Sequence, residues 1–126
     1  MTRKSLILVV DDYQDAREMY AEYLQISGFS VAEARSGDEA IAQAIALRPD
    51  LILMDLSLPG MDGWQATRHL KADERTSHIP VVALTGHALE RASDDAREAG
   101  CDAFVTKPCP PDELVVEVRR LLGIPR

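Results

Sequence analysis

Leu51-Ile52-Leu53-Met54-Asp55 is a run of four apolar residues closed by a carboxylate. A run this short, without polar alternation, reads as a strand buried on both faces. Three other segments share the design. Leu6 to Val10 runs into Asp11-Asp12, Val81 to Leu84 into Thr85, and Ala103 to Thr106 into Lys107-Pro108. Four segments far apart in the chain thus deliver a charged or hydroxyl residue at the same end of a strand. In a parallel α/β sheet those ends lie along one edge, so the four residues converge.

A fifth run, Phe29 to Ala34, completes the set, and helical patterns alternate with the strands five times. The first helix shows Ala16, Met19, Tyr20, Tyr23 and Leu24 at three- and four-residue spacing. Gly28 stands where a C-terminal cap belongs, and Arg48-Pro49 stops the second helix. Ser36 with Glu39, and Asp62 with Gln65, have capping-box spacing. Pro111 suits the first turn of the fifth helix, but Pro110 offers no capping oxygen, so that start is expected to fray. The fourth helical segment, His87 to Glu98, is built on Ala88, Ala92 and Ala96, with Leu89 its one large apolar residue. It buries little apolar surface and is expected to be held weakly.

Strand composition orders the sheet. The first, third and fourth strands are apolar throughout and belong inside. The second carries Ser30 and Glu33 and the fifth ends in Thr106, so both suit the edges. Right-handed crossovers then give 2-1-3-4-5, a doubly wound, flavodoxin-like parallel sheet with five helices. Its switch point falls between strands one and three, beside Asp11, Asp12 and Asp55.

The 126 residues suit one domain over 1–126, and 46% apolar with 28% charged residues is ordinary for a globular protein. No apolar run approaches the roughly 20 residues needed to span a bilayer, and the N-terminus has no signal-peptide pattern, so a cytoplasmic protein is expected. With a net charge of −7 and no basic stripe, direct nucleic-acid binding is not expected. Cys101 and Cys109 are too few for a zinc motif and read as packing or surface residues. His69 and His78 are expected to face solvent. Without a large apolar surface stripe, a monomer is favoured.

The convergent residues carry the chemistry. Three carboxylates and one ammonium sum to about −2, and two unit charges ~4 Å apart interact by about 4 kcal/mol at an effective dielectric of 20. A hard divalent cation relieves such crowding. Magnesium, which combines one or two carboxylates with waters and a phosphate, fits better than calcium, since no single loop supplies a spaced run of oxygens. Asp55 is the candidate nucleophile, because a carboxylate can attack phosphorus to give an aspartyl phosphate. Lys107 supplies a flexible cation and Thr85 a hydroxyl donor for the charge on the phosphoryl oxygens. Taken singly, these residues say little: Asp11-Asp12 alone would read equally well as a cap on the first helix. Their joint placement makes the site.

The motifs Val9-Val10-Asp11-Asp12, Met54-Asp55-Leu56-Ser57-Leu58-Pro59-Gly60-Met61-Asp62-Gly63, Leu84-Thr85-Gly86 and Thr106-Lys107-Pro108 closely resemble receiver domains of two-component response regulators. The resemblance spans nearly the whole chain. It implies that Asp55 accepts a phosphoryl group from a histidine kinase. It also implies that Asp12 and Asp55 bind magnesium through carboxylates, Asp11 through a water and Ser57 through its backbone carbonyl. Lys107 would pair with the phosphoryl group, Thr85 would donate to it, and Phe104 would be the aromatic that turns inward on activation. The Lys107-Pro108 bond is expected to be cis. Gly86 departs from the family, which usually has at least a methyl group there, and should leave the phosphoryl pocket more open. Output is expected through a downstream effector or phosphotransfer protein on the surface of helix four, strand five and helix five.

Other classes remain. The chain could be a phosphorelay intermediate, or the receiver of a hybrid histidine kinase passing phosphate to a histidine phosphotransfer protein. A metal-dependent phosphohydrolase would place nucleophile and general acid two residues apart after strand one, where this chain has adjacent acids. A flavin binder would need a Ser, Thr and Gly-rich phosphate loop there, and Asp11-Asp12 repels phosphate.

Overall fold

The computed structural model describes residues 4–56, 58, 60–85, 99–106 and 109–124. Five strands, β1 (Leu6–Val10), β2 (Ser30–Ala34), β3 (Leu51–Asp55), β4 (Val81–Thr85) and β5 (Ala103–Thr106), form a parallel sheet in the order β2-β1-β3-β4-β5. This is the order expected from strand polarity. The helices among the described residues are α1 (Gln14–Ile26), α2 (Gly37–Leu47), α3 (Gly63–Ala72) and α4 (Pro111–Leu122), four where the sequence predicts five. The difference is the segment His87 to Glu98, which lies outside the described residues, so α4 is the fifth helix of the sequence reading.

Alternation along the strands divides the core in two. Ile7, Val9, Leu51, Leu53, Val82 and Leu84 point to one face, where Tyr20 and Leu24 of α1 and Leu114, Val115 and Val118 of α4 cover them. Leu8, Val10, Ile52, Met54 and Val81 point to the other, beneath Ala40 and Ala44 of α2 and Ala66 and Leu70 of α3. All five residues of β3 are buried. A strand gripped on both faces cannot slip by one residue without reversing every side chain, so the position of its last residue is well defined. Leu53→Ala, for example, would cost about 2–5 kcal/mol.

The helix ends follow the sequence signals with two exceptions. Gly28 takes φ +101° just past α1, and Arg48 adopts φ +50°, a left-handed cap that ends α2 before Pro49. Asp62 and Gln65 form the full reciprocal box on α3, at 2.9 and 3.2 Å. Ser36 makes only its half of the second box. Its Oγ accepts from Glu39 N at 3.1 Å, while the Glu39 carboxylate turns to Gln43 Nε2 and Arg35. The start of α4 is also better tied than its lack of a cap implied, because the Pro110 carbonyl accepts from Glu113 N and Leu114 N, both at 3.1 Å.

The stripe on α1 is displaced from its expected position. Tyr20 and Leu24 are buried as predicted, but Met19 and Tyr23 are exposed and the inner face is completed by Ala21 and Arg17. Apolar spacing alone favoured the larger side chains. The sheet instead accepts a small residue where α1 lies close, and an arginine that finds partners.

Candidate functional site

β1 and β3 are neighbours, and their carboxyl ends deliver Asp11 and Asp55 to one place. One carboxylate oxygen from each of Asp11, Asp12 and Asp55 lies within 4.8 Å of the others. Asp11 and Asp55 are buried at 1% and 4% exposure, while Asp12 is open to solvent. Two acids are thus withdrawn from water beside a third, an arrangement that asks for a cation. The donor set is entirely hard oxygen, which suits magnesium and leaves room for its waters.

Local contacts decide between capping and site chemistry for Asp11-Asp12. The residue at the cap of α1 is Tyr13, with extended backbone and no side-chain cap bond. Asp11 Oδ1 accepts from Tyr13 N at 2.9 Å, a tight local turn ahead of the helix. That turn fixes the Asp11 carboxylate at the end of β1 and leaves the pair facing the pocket.

β3, β4 and β5 run in register, pairing Asp55 with Leu84 and Thr85 with Thr106. Thr85 therefore closes β4 at the same edge as Asp55. Phe104 lies half-buried on β5 opposite Ala83. The side chain of Thr85, the residues Ser57, Gly86, His87 and Lys107, and the Lys107-Pro108 bond lie outside the described residues.

Gly63 holds the start of α3 close to the end of β3. A Cβ there would sit 2.5 Å from the Asp55 carbonyl oxygen and 2.8 Å from Leu56 Cα, both rigid backbone atoms. Only glycine lets α3 start this near the end of β3.

The family model for the response regulator receiver domain matches residues 7–119. The chain belongs to this family.

As a receiver domain it is a phosphorylation-activated signalling switch of the two-component type, and not a classical enzyme. That sets aside the phosphohydrolase and flavin-binding alternatives. The polar-differentiation response regulator DivK of Brucella ovis is 34% identical over 117 residues, 93% of this receiver and 95% of DivK. The chemotaxis protein CheY4 of Vibrio cholerae superposes with a TM-score of 0.90 at 27% identity, over 94% of this chain and 98% of that one. The receiver domain of the sensor histidine kinase PA1611 from Pseudomonas aeruginosa gives a TM-score of 0.88 at 32% identity, over 96% and 99% of the two chains. It carries a magnesium ion coordinated in its active-site cleft. Receiver domains bind magnesium at an acidic pocket of the kind that Asp11, Asp12 and Asp55 form here.

The remaining residues of the receiver behave as their composition implied. His69 and His78 are exposed, and both cysteines are free, with Cys109 buried and Cys101 partly so. Burial pushes both thiols above their ordinary pKa, which marks them as packing groups. Tyr20 Oη donates to the Cys109 carbonyl at 3.3 Å and so ties α1 to the segment that follows Lys107-Pro108. No described helix is long and apolar enough to cross a membrane.

Sequence reasoning missed Arg17, which drew no reading, and Glu33, read only as a sign of an edge strand. The two are joined at 3.0 Å beside the pocket. A charged residue six positions after Asp11, on a helix that must pack against the sheet, was the available signal.

Proposed function

We propose that Asp55 is the phosphoacceptor of this receiver and that its phosphorylation is magnesium-dependent. One observation carries the reading: the Asp55 carboxylate ends the fully buried β3 within 4.8 Å of those of Asp11 and Asp12. The donor is a phosphohistidine of a histidine kinase. An Asp55 carboxylate oxygen forms the new O–P bond as the N–P bond breaks, and the imidazole, protonated on its other ring nitrogen, leaves as neutral imidazole. The transition state is loose, so the protein contributes mainly position and charge. Magnesium, when bound, supplies positive charge against the phosphoryl oxygens. Asp12 and Asp55 would hold it through carboxylates, Asp11 through a water and Ser57 through its backbone carbonyl.

The resemblance of Leu84-Thr85-Gly86 and Thr106-Lys107-Pro108 to the family's motifs supports Thr85 as the hydroxyl that donates a hydrogen bond to the phosphoryl group and Lys107 as the cation that pairs with it. Phe104 is the switch aromatic in this reading, and its half-buried position leaves it room to turn. Activation shifts an equilibrium between two arrangements of the surface formed by the segment His87 to Glu98, β5 and α4. A downstream effector reads that surface. We take 1–126 as one receiver unit, monomeric and cytoplasmic, signalling without direct nucleic-acid contact.

A second reading is favoured by the Pseudomonas relative, whose receiver belongs to a sensor histidine kinase. In it, Asp55 passes the phosphoryl group onward to a histidine phosphotransfer protein. Phosphotransfer profiling against histidine kinases and phosphotransfer proteins separates the two.

The test of the site is direct. Incubation with acetyl phosphate and magnesium adds one phosphoryl mass at Asp55, seen by mass spectrometry. Asp55→Asn abolishes it, and chelation of magnesium suppresses it in the wild type. Modification that persists in Asp55→Asn would falsify the assignment.

A further inference from the structure

Arg17 lies on the inner face of α1 with 9% exposure, an unusual position for a guanidinium. Its Nη1 donates to the backbone carbonyl of Asp11 at 3.0 Å and its Nε to Glu33 Oε1 at 3.0 Å. The same Asp11 is held from two other directions. Its N–H donates to the Ala34 carbonyl at 3.1 Å, and its Oδ1 accepts from Tyr13 N at 2.9 Å. Two of these three anchors run to β2, directly through Ala34 and indirectly through Arg17 and Glu33.

We infer that Arg17, oriented by Glu33, is a positioning residue that sets the Asp11 carboxylate for the divalent cation. The inference rests on the metal and phosphoacceptor reading above. Asp11 is the first residue beyond β1, where the strand pairing ends at Val10 and Ala34 and the amide alone continues the ladder to β2. Arg17 grips the carbonyl side of that residue while Ala34 grips its amide, leaving the carboxylate little freedom. An apolar side chain at position 17 would fill the space without burying a charge, but it could not reach the carbonyl. The planar guanidinium reaches two acceptors at once, which lysine cannot do in the same geometry.

Charge alone makes the opposite prediction. Removing a cation beside an acidic pocket makes the pocket more negative and tightens magnesium binding. Positioning requires the reverse, because groups that orient metal ligands typically change affinity by about 10–100-fold when removed. The sign of the effect therefore decides the matter.

The experiment measures magnesium affinity by isothermal titration calorimetry in wild type, Arg17→Met, Arg17→Met with Glu33→Gln, and Glu33→Gln alone. Arg17→Met and the double variant are expected to bind magnesium about tenfold more weakly. Glu33→Gln keeps an acceptor for Arg17 Nε and is expected to stay within about twofold of wild type. Unchanged or tighter binding in Arg17→Met overturns the inference, the first outcome meaning a purely structural role and the second a purely electrostatic one. A hollow of ≈ 300 Å³ lined by Arg17, Glu18, Glu33, Arg35 and Glu39 lets water reach the truncated site, which favours folding of the variant. Should Arg17→Met fail to fold, Arg17→Lys carries the test: affinity equal to wild type overturns the inference, and severalfold weaker binding supports it. If the wild type itself takes up no magnesium, the metal reading fails instead, a result visible before any variant is made.

Discussion

Asp50 and Asp102 stand just before β3 and β5, at the amino ends of the strands, while Asp11, Asp12 and Asp55 stand at the carboxyl ends. The amino-end acids are matched with donors. Asp50 Oδ2 accepts from Leu6 N at 2.7 Å, and Asp102 Oδ2 accepts from Val81 N at 2.8 Å and from Lys71 Nζ at 2.9 Å. Each acid also donates its own N–H to the carbonyl of the residue it caps, at 2.8 and 2.9 Å. Both therefore continue the strand ladder with a side chain, one onto β1 and the other onto β4. At the carboxyl ends, acid is gathered against acid.

The same residue type thus serves stability at one end of the sheet and chemistry at the other. Parallel strands leave N–H groups at their amino ends and carbonyls at their carboxyl ends. An acid at the amino end meets donors. At the carboxyl end it meets other acids, and a cation settles the charge. Sites at the carboxyl edge of such sheets follow from this asymmetry as much as from the switch in strand order.

Asp102→Ala separates the two ends of the sheet most clearly. It removes two charge-assisted bonds and leaves Lys71, among the described residues, the carbonyls of Ile79 and Ser77. A loss of about 2 kcal/mol in urea unfolding is expected, with magnesium affinity unchanged. Asp50→Ala, which removes the bond to Leu6 N, should cost about 1 kcal/mol on the same assay. A change in magnesium affinity in either variant would mean that the two ends of the sheet are not separate in function.

Asp12→Asn should act in the opposite direction. Asp12 is exposed, so relief of like-charge repulsion is screened, and a gain of about 0.5 kcal/mol is expected in magnesium-free buffer. In saturating magnesium the order reverses, because the wild type gains binding energy that the variant lacks. Paired thermal melts with and without the ion read this crossing.

The smallest effect concerns Asp73, which follows α3 and leads toward the start of β4. Its carboxylate is bound by Arg75 at 3.0 and 2.7 Å, which lowers its pKa from 3.8 to about 2. A depressed folded-state pKa means the pair's contribution is complete above about pH 4 and disappears as pH falls toward 2. Asp73 lies at the surface, only partly covered, and its partner Arg75 is exposed, so the contribution is small and sensitive to salt. An NMR titration of its carboxyl carbon checks the midpoint, and Arg75→Ala should return it toward 3.8.

Much of the candidate site was legible before any coordinates. Asp11, Asp12 and Asp55 could be placed together because each follows an apolar run, and strand polarity put the two runs side by side. Arg17 and Glu33 could not be paired in that way. Their contact depends on how α1 lies across β1 and β2, and the spacing of Met19 and Tyr23 suggested a different face.

From the chain alone came the alternation of elements, the strand order and the acids at the switch point. These rest on local patterns of apolar and polar residues that survive any detail of packing. Tertiary structure decided which face of α1 is buried, that Tyr13 rather than an aspartate starts it, and that Asp50 and Asp102 extend the ladder. The bond between Leu6 and Asp50 joins residues 44 positions apart, and that between Tyr20 and Cys109 joins residues 89 apart. Their existence depends on register and helix placement, which only the packed sheet sets.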